Sequence, residues 1–337
     1  MSLSTQLRQQ RRALYRSHYL RLALLFTAVV ALWFISLMIG ETFYSPADIL
    51  GALTGQTVSG ASFTVGELRL PRATVAVAAG LAFGTAGVIF QTLLRNQLAS
   101  PDIIGISAGA AAAGVTAIVF FQLSQTMVSL IALLFSLLIA AAIYLLSLKS
   151  GFTGTRMILI GIGCAALLQA WTTFVLSQAN AWDLPTATRW LTGSLNTMSW
   201  ERAAPLLVGV VILLPLLVCL AHQLRLLQLG DALSSTLGIP LNLVRITAIG
   251  GAVLLIALAT ATSGPIAFVA FMAGPIASRC FRPGPSLILP AALTGALIVL
   301  AADLVGNWAF GTHYPVGVVT GIIGAPFLIY LLTRSTR

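Results

Sequence analysis

Charge is what this sequence has least of. Only 8% of its 337 residues are Asp, Glu, Lys or Arg, and 58% are hydrophobic, where an ordinary soluble domain carries about 25% charged residues. With a mean hydropathy of +0.99, an aqueous fold is excluded; the chain must be solvated by lipid and by its own helices. Lysine is almost missing. Lys149 stands alone, and no Gly-x-x-x-x-Gly-Lys-Ser/Thr loop exists whose backbone could cradle the phosphates of ATP. The eight acidic residues are dispersed, and His18, His222 and His313 are isolated. No catalytic constellation, cofactor site or metal site is expected, so the chain does not read as an enzyme. Cys164, Cys219 and Cys280 lack metal-ligand spacing and read as small buried hydrophobes.

What the sequence does have is arginine. Lys and Arg total 18 against 8 acids, a net charge of +10, but they sit between apolar runs. That is a pattern of membrane topology, not of nucleic-acid binding. The pattern predicts an all-α integral membrane protein: a basic N-terminus over 1–21 and one transmembrane domain over 22–337. The apolar run after residue 21 is too long for a signal-peptide core and reads as an uncleaved first span. Ten spans are expected, near 22–40, 72–94, 103–121, 127–148, 157–176, 202–221, 246–262, 266–279, 287–304 and up to about 333. Ten spans put both termini on one side. Fourteen of the eighteen cationic side chains then share that side, which the positive-inside rule makes the cytoplasm. The most polar loop there covers 222–245. Prolines and glycines across 264–285 leave open whether that region spans or re-enters.

One stretch organises the rest: Arg69-Leu-Pro-Arg72, the run 73–94, then Arg95-Asn-Gln-Leu-Ala-Ser-Pro101. The 22 residues between Arg72 and Arg95 are uncharged, with Gln91 their one strongly polar side chain. At 1.5 Å per residue they reach about 33 Å, enough for a hydrocarbon core of about 30 Å. Gly80, Gly84 and Gly87 share a face, and Gly105 and Gly109 repeat the four-residue spacing. Such small faces let a neighbouring helix come close.

Three further stretches join this one: Gly230-Asp-Ala-Leu-Ser-Ser-Thr-Leu-Gly238-Ile-Pro240, Gly264-Pro-Ile-Ala-Phe-Val-Ala-Phe271, and Pro315-Val-Gly-Val-Val-Thr-Gly-Ile-Ile-Gly-Ala-Pro326. In this order the chain resembles the permease subunits of bacterial ABC importers for iron–siderophore complexes, haem and cobalamin. The resemblance implies a multi-pass protein of the bacterial inner membrane. It also implies a second permease subunit, two copies of a cytoplasmic ATPase and a periplasmic or lipid-anchored substrate-binding protein, with no nucleic acid. The implied cargo is a metal chelate, an iron(III)–siderophore first and haem or cobalamin as alternatives.

Particular residues inherit expectations from that resemblance. Arg69 matches an external arginine that pairs with an acidic residue of the binding protein. Asp231, Leu233, Leu237, Gly238, Ile239 and Pro240 match the loop that docks on the ATPase. There the sequence predicts a short helix over 231–237, a stop at Gly238 and a second turn begun by Pro240, with Asp231 favoured at the positive helix end. Thr153, Gly154 and Thr155 match an inner turn where the family narrows its pore. Arg72 reads as an interfacial anchor. Two departures stand out: Asn307 where relatives often have a second external arginine, which favours a heterodimer over the alternative homodimer, and Gly274-Pro275 where they carry Pro-His.

A proton- or sodium-coupled secondary transporter would need ionisable residues deep in the bundle. Asp303 alone approaches that, near one end of its span, where a structural hydrogen bond would explain it equally.

Overall fold

The computed structural model describes residues 3–56, 60–102, 104–148, 154–281 and 286–335, and these form helices and turns without a strand. Helix α1 (Leu3–Met38) carries the basic opening and the first apolar run as one rod. Ser45 then starts α2 (Pro46–Leu53) through a capping box, its hydroxyl taking the Asp48 N–H while the Asp48 carboxylate takes the Ser45 N–H. A single turn, α3 (Ala61–Phe63), passes through a π-helical turn (Thr64–Arg69) into α4 (Leu70–Leu93). Next come α5 (Ile106–Val119), α6 (Gln125–Ser147), α7 (Gly154–Ser177), α8 (Leu184–Thr192) and α9 (Trp200–Cys219). The chain ends with α10 (Ala221–Leu227), α11 (Asp231–Thr236), α12 (Leu241–Ser263), α13 (Val269–Cys280), α14 (Ile288–Trp308) and α15 (Val316–Ser335).

Eight of these helices are long and apolar enough to cross a membrane. Two of the ten expected spans are shorter. Helix α5 has 14 residues and α13 has 12, about 21 and 18 Å against a core of about 30 Å. Each follows a left-handed residue, Gly105 (φ 89°) and Phe268 (φ 64°), so non-helical backbone covers part of the distance. Residues 282–285 of the proline-rich region lie outside the described residues.

Helix α4 is the centre of the bundle. It packs against α14, α12, α13 and α9, and its glycines explain why. A Cβ on Gly80 would run into the backbone of Ala296, one on Gly84 into the Ala291 carbonyl, and one on Gly87 into the Ala270 carbonyl. Gly295 of α14 meets Gly80 from the other side. Without lipid-versus-protein hydrophobic gain, such close backbone contact supplies the dispersion energy that holds helices together. Gly105 and Gly109 are not a helical pair. Gly105 lies in the turn before α5, close to Gly161 of α7, and Gly109 packs on Ile139 of α6. The cysteines also differ from expectation: Cys219 and Cys280 are exposed on the helix surface and Cys164 is half-buried.

Gln91, the one strongly polar side chain of its span, is buried and donates from Nε2 to the Phe271 carbonyl at 3.1 Å. The reason is Pro275. Four residues after Phe271 it has no N–H, so the helical acceptor at Phe271 would otherwise be orphaned. Gly274 makes room, since a Cβ there would collide with Gln91 Oε1.

Candidate coupling and docking sites

At the end of α4 that carries Arg95, a small helical knob projects from the bundle. Helix α9 turns at Leu220 into α10, Gly230 (φ 106°) breaks the chain, and α11 begins at Asp231. Asp231 does not simply cap its helix. Its Oδ1 accepts from Arg245 Nη2 at 2.6 Å and from Arg95 Nη2 at 3.3 Å, and Arg95 Nη2 also donates to the Leu227 carbonyl at 2.7 Å. Arg95 adopts φ 50° to make this reach. One carboxylate thus joins α11 to the end of α4 and the start of α12. The hydrogen bond from Arg245 outweighs an opposing desolvation and, with the positive charges of Arg245 and Arg95, holds the Asp231 carboxyl below the usual carboxylate range. Buried Ser234 adds hydrogen bonds to the Leu226 and Gly230 carbonyls, both at 2.7 Å.

The knob's outer surface carries exposed leucines beside exposed Ser235 and Thr236. Leu233 and Leu237, four apart on one side, are 51% and 55% exposed. Gly238 (φ 79°) stops α11 as expected, but the second turn is not a separate short helix. Pro240 stands directly before α12, whose first residue is Leu241, and Ile239 is half-buried beside it. The knob's two short helices are instead α10 and α11. Of the inner-turn residues, Thr153 lies outside the described residues; Gly154 opens α7 against Leu94, and Thr155 is exposed.

The opposite end holds Arg69 and Arg72. Arg69 faces inward: Nη1 donates to the Leu37 and Met38 carbonyls at 2.8 and 3.1 Å, Nη2 to the Thr42 carbonyl at 2.7 Å, and the guanidinium lies over Tyr44. It satisfies the last carbonyls of α1. Arg72 is more than an interfacial anchor. Nη2 and Nε grip the Asp303 carboxylate at 2.8 and 3.0 Å. Asn307 donates to the Asp303 backbone carbonyl at 2.5 Å and to Oδ1 at 3.3 Å. Asp303 and Arg72 stand out separately in the sequence; a separation of 231 positions gave no sign that they meet.

A helical bundle with eight helices long and apolar enough to cross a membrane, and a tethered knob at one end, has the architecture of a membrane transport subunit. The chain belongs to the FecCD transport family, whose model matches residues 28–334. It is 36% identical over 310 residues to the ferric enterobactin transport system permease protein FepG of Escherichia coli (strain K12), covering 92% of this chain and 93% of FepG. It is 37% identical over 319 residues to the achromobactin transport system permease protein CbrC of Dickeya dadantii (strain 3937), covering 94% and 91%. A metal-chelate type ABC transporter solved in an inward-facing conformation superposes with a TM-score of 0.83 at 29% identity, over 93% of this chain and 98% of that one.

Proposed function

We propose that this chain is a permease subunit of an ATP-binding-cassette importer that passes an iron(III)–siderophore chelate across the bacterial inner membrane. The family match over 28–334 carries the reading, and the chain's likeness to the FepG and CbrC permeases favours that cargo over haem or cobalamin. The Arg95 end faces the cytoplasm, as the arginine distribution requires, and the Arg69 end faces the binding protein.

With no phosphate-binding loop of its own, the chain relies on an ATPase dimer supplied in trans. The apolar tip at Leu233 and Leu237 is the surface that docks on it. When nucleotide closes the ATPase dimer, α11 moves as a unit, and the Asp231 links to Arg95 and Arg245 pass the displacement to α4 and α12. Reorienting packed helices in this way alternates access. Gly154 and Thr155, beside the end of α4, form part of the inner gate. Arg69 shapes the outer rim by fixing the α1–α2 turn, and the binding protein docks beside it. Asn307 is engaged with Asp303, so it adds no cation to that rim; a partner permease of different sequence supplies the second contact. Asp303 is neutralised by Arg72, which disfavours ion coupling through it.

Uptake of a ferric siderophore into vesicles holding the assembled complex tests the reading. Transport should survive uncouplers and stop without ATP; uptake by this chain alone would refute it. Native mass measurement should find one copy of this chain beside a paralogue.

A further inference from the structure

A cleft of about 100 Å³ opens at the Arg69 end of the bundle, between the last turn of α8, the first turn of α9 and the end of α12. The bond from Trp200 Nε1 to the Gly66 carbonyl, 3.2 Å, ties this end of α9 to the turn that leads into α4. Arg189 and Arg202 both line the cleft, with Ser194, Asn196 and Thr197 among the polar groups between them and no acidic residue. Among the described residues neither arginine has a carboxylate within ion-pair distance, unlike Arg72, Arg95 and Arg245. Arg202 Nη1 and Nη2 donate to the Thr197 and Thr262 carbonyls, both at 3.2 Å, while its Nε is buried without an acceptor. Trp190, 5% exposed, also lines the cleft, while its Nε1, without a partner, lies against Gly114 of α5 and not in the cleft.

A half-buried guanidinium without a counter-charge is costly. Here the cost is increased by position, because Arg202 stands in the first turn of a 20-residue helix, at its positive end, where Ser199 makes no side-chain cap and the one acid of that turn, Glu201, is exposed and makes no ion pair with it. An anion at this spot would be favoured by two guanidinium groups and by the helix end together.

We infer that this cleft is a subsite for one carboxylate of the arriving chelate, an inference that rests on the importer reading above. Size excludes the whole cargo, since sites that enclose a drug-sized ligand occupy about 300–1,000 Å³; a single carboxylate arm fits. The chemistry is consistent, because the hard ferric ion is held by anionic oxygen donors and polycarboxylate chelates carry such groups on their surface. Arg202, fixed by two backbone carbonyls, presents the charge, and the more exposed Arg189 closes over it. The inward-facing Arg69 cannot do this.

The test is calorimetric titration of citrate, and separately ferric citrate, into the complete transporter in lipid nanodiscs without ATP or binding protein. The expected result is saturable binding that weakens as salt rises. Arg189→Gln should weaken it about tenfold, and Thr186→Glu, which puts an acid in the cleft, should abolish it; neither alters the Arg202 backbone ties. Absence of saturable binding, or binding unchanged in both variants, overturns the inference. So does a third outcome, read in a separate titration of the binding protein into the same nanodiscs: variants that weaken only that affinity would assign the cleft to protein docking. Because the titration needs no transport, its failure would leave the importer reading intact, and loss of ATP-driven uptake would not account for it.

Discussion

Arg72 of α4 holds the Asp303 carboxylate of α14 with two nitrogens, Nη2 at 2.8 Å and Nε at 3.0 Å. The same two helices meet through Gly80, Gly84 and Gly295 further down. The ion pair therefore clamps the rim of an interface whose middle is backbone against backbone. Their side chains are 27% and 11% exposed, so each charge depends on the other for solvation.

Removing one partner should cost more than removing both. Asp303→Asn or Arg72→Leu is expected to destabilise by about 3 kcal/mol, read as a fall in the melting temperature of the purified protein. The double variant Arg72→Leu/Asp303→Leu should recover much of that loss. Strict additivity in the cycle would show that the pair does not act as a unit.

Gln91 and Pro275 should be coupled. Gln91→Leu leaves the Phe271 carbonyl without a donor, a cost of about 1–3 kcal/mol. Pro275→Ala returns an N–H four residues after Phe271, so Gln91→Leu should cost clearly less in that background. Equal costs in both backgrounds would mean that the hydrogen bond is incidental.

Close helix contact makes the central glycines intolerant. Gly84→Val places atoms against the Ala291 carbonyl, where only backbone movement can relieve the overlap. A loss of about 3 kcal/mol or more is expected, with reduced membrane yield. Gly163, which has nothing within 4 Å of an added Cβ, should accept alanine with no change in melting temperature.

Asp231→Asn should leave the ATPase bound while lowering transport per ATP hydrolysed, because Leu233 and Leu237 still dock but the ties to Arg95 and Arg245 weaken. Asp231→Glu should restore most of the ratio. The pH dependence follows from the lowered carboxyl. Its charged form is favoured in the fold, so the stabilisation is complete above the unfolded value of about 3.9 and is lost only as pH falls through the lower folded value. The coupling ratio should be flat between about pH 5 and 8 on account of this pair. A sharp fall there that disappears in Asp231→Asn would contradict the assignment.

The sequence by itself determined the solvent and the parts. Charge at 8% and runs of about twenty apolar residues permit only lipid-solvated helices, and Gly80, Gly84 and Gly87 marked the close-packed face because helical spacing is a local property. The Asp231–Gly238 knob was legible for the same reason, its start and stop being written in adjacent residues. Tertiary structure alone decided which distant residues meet: Arg72 with Asp303, Gln91 with Phe271, Arg95 with Asp231. It also turned Arg69 inward and took Gly105 out of its helix. The physical reason is that a buried polar group must find a partner wherever packing brings one within about 3 Å, and no periodicity along the chain encodes that distance.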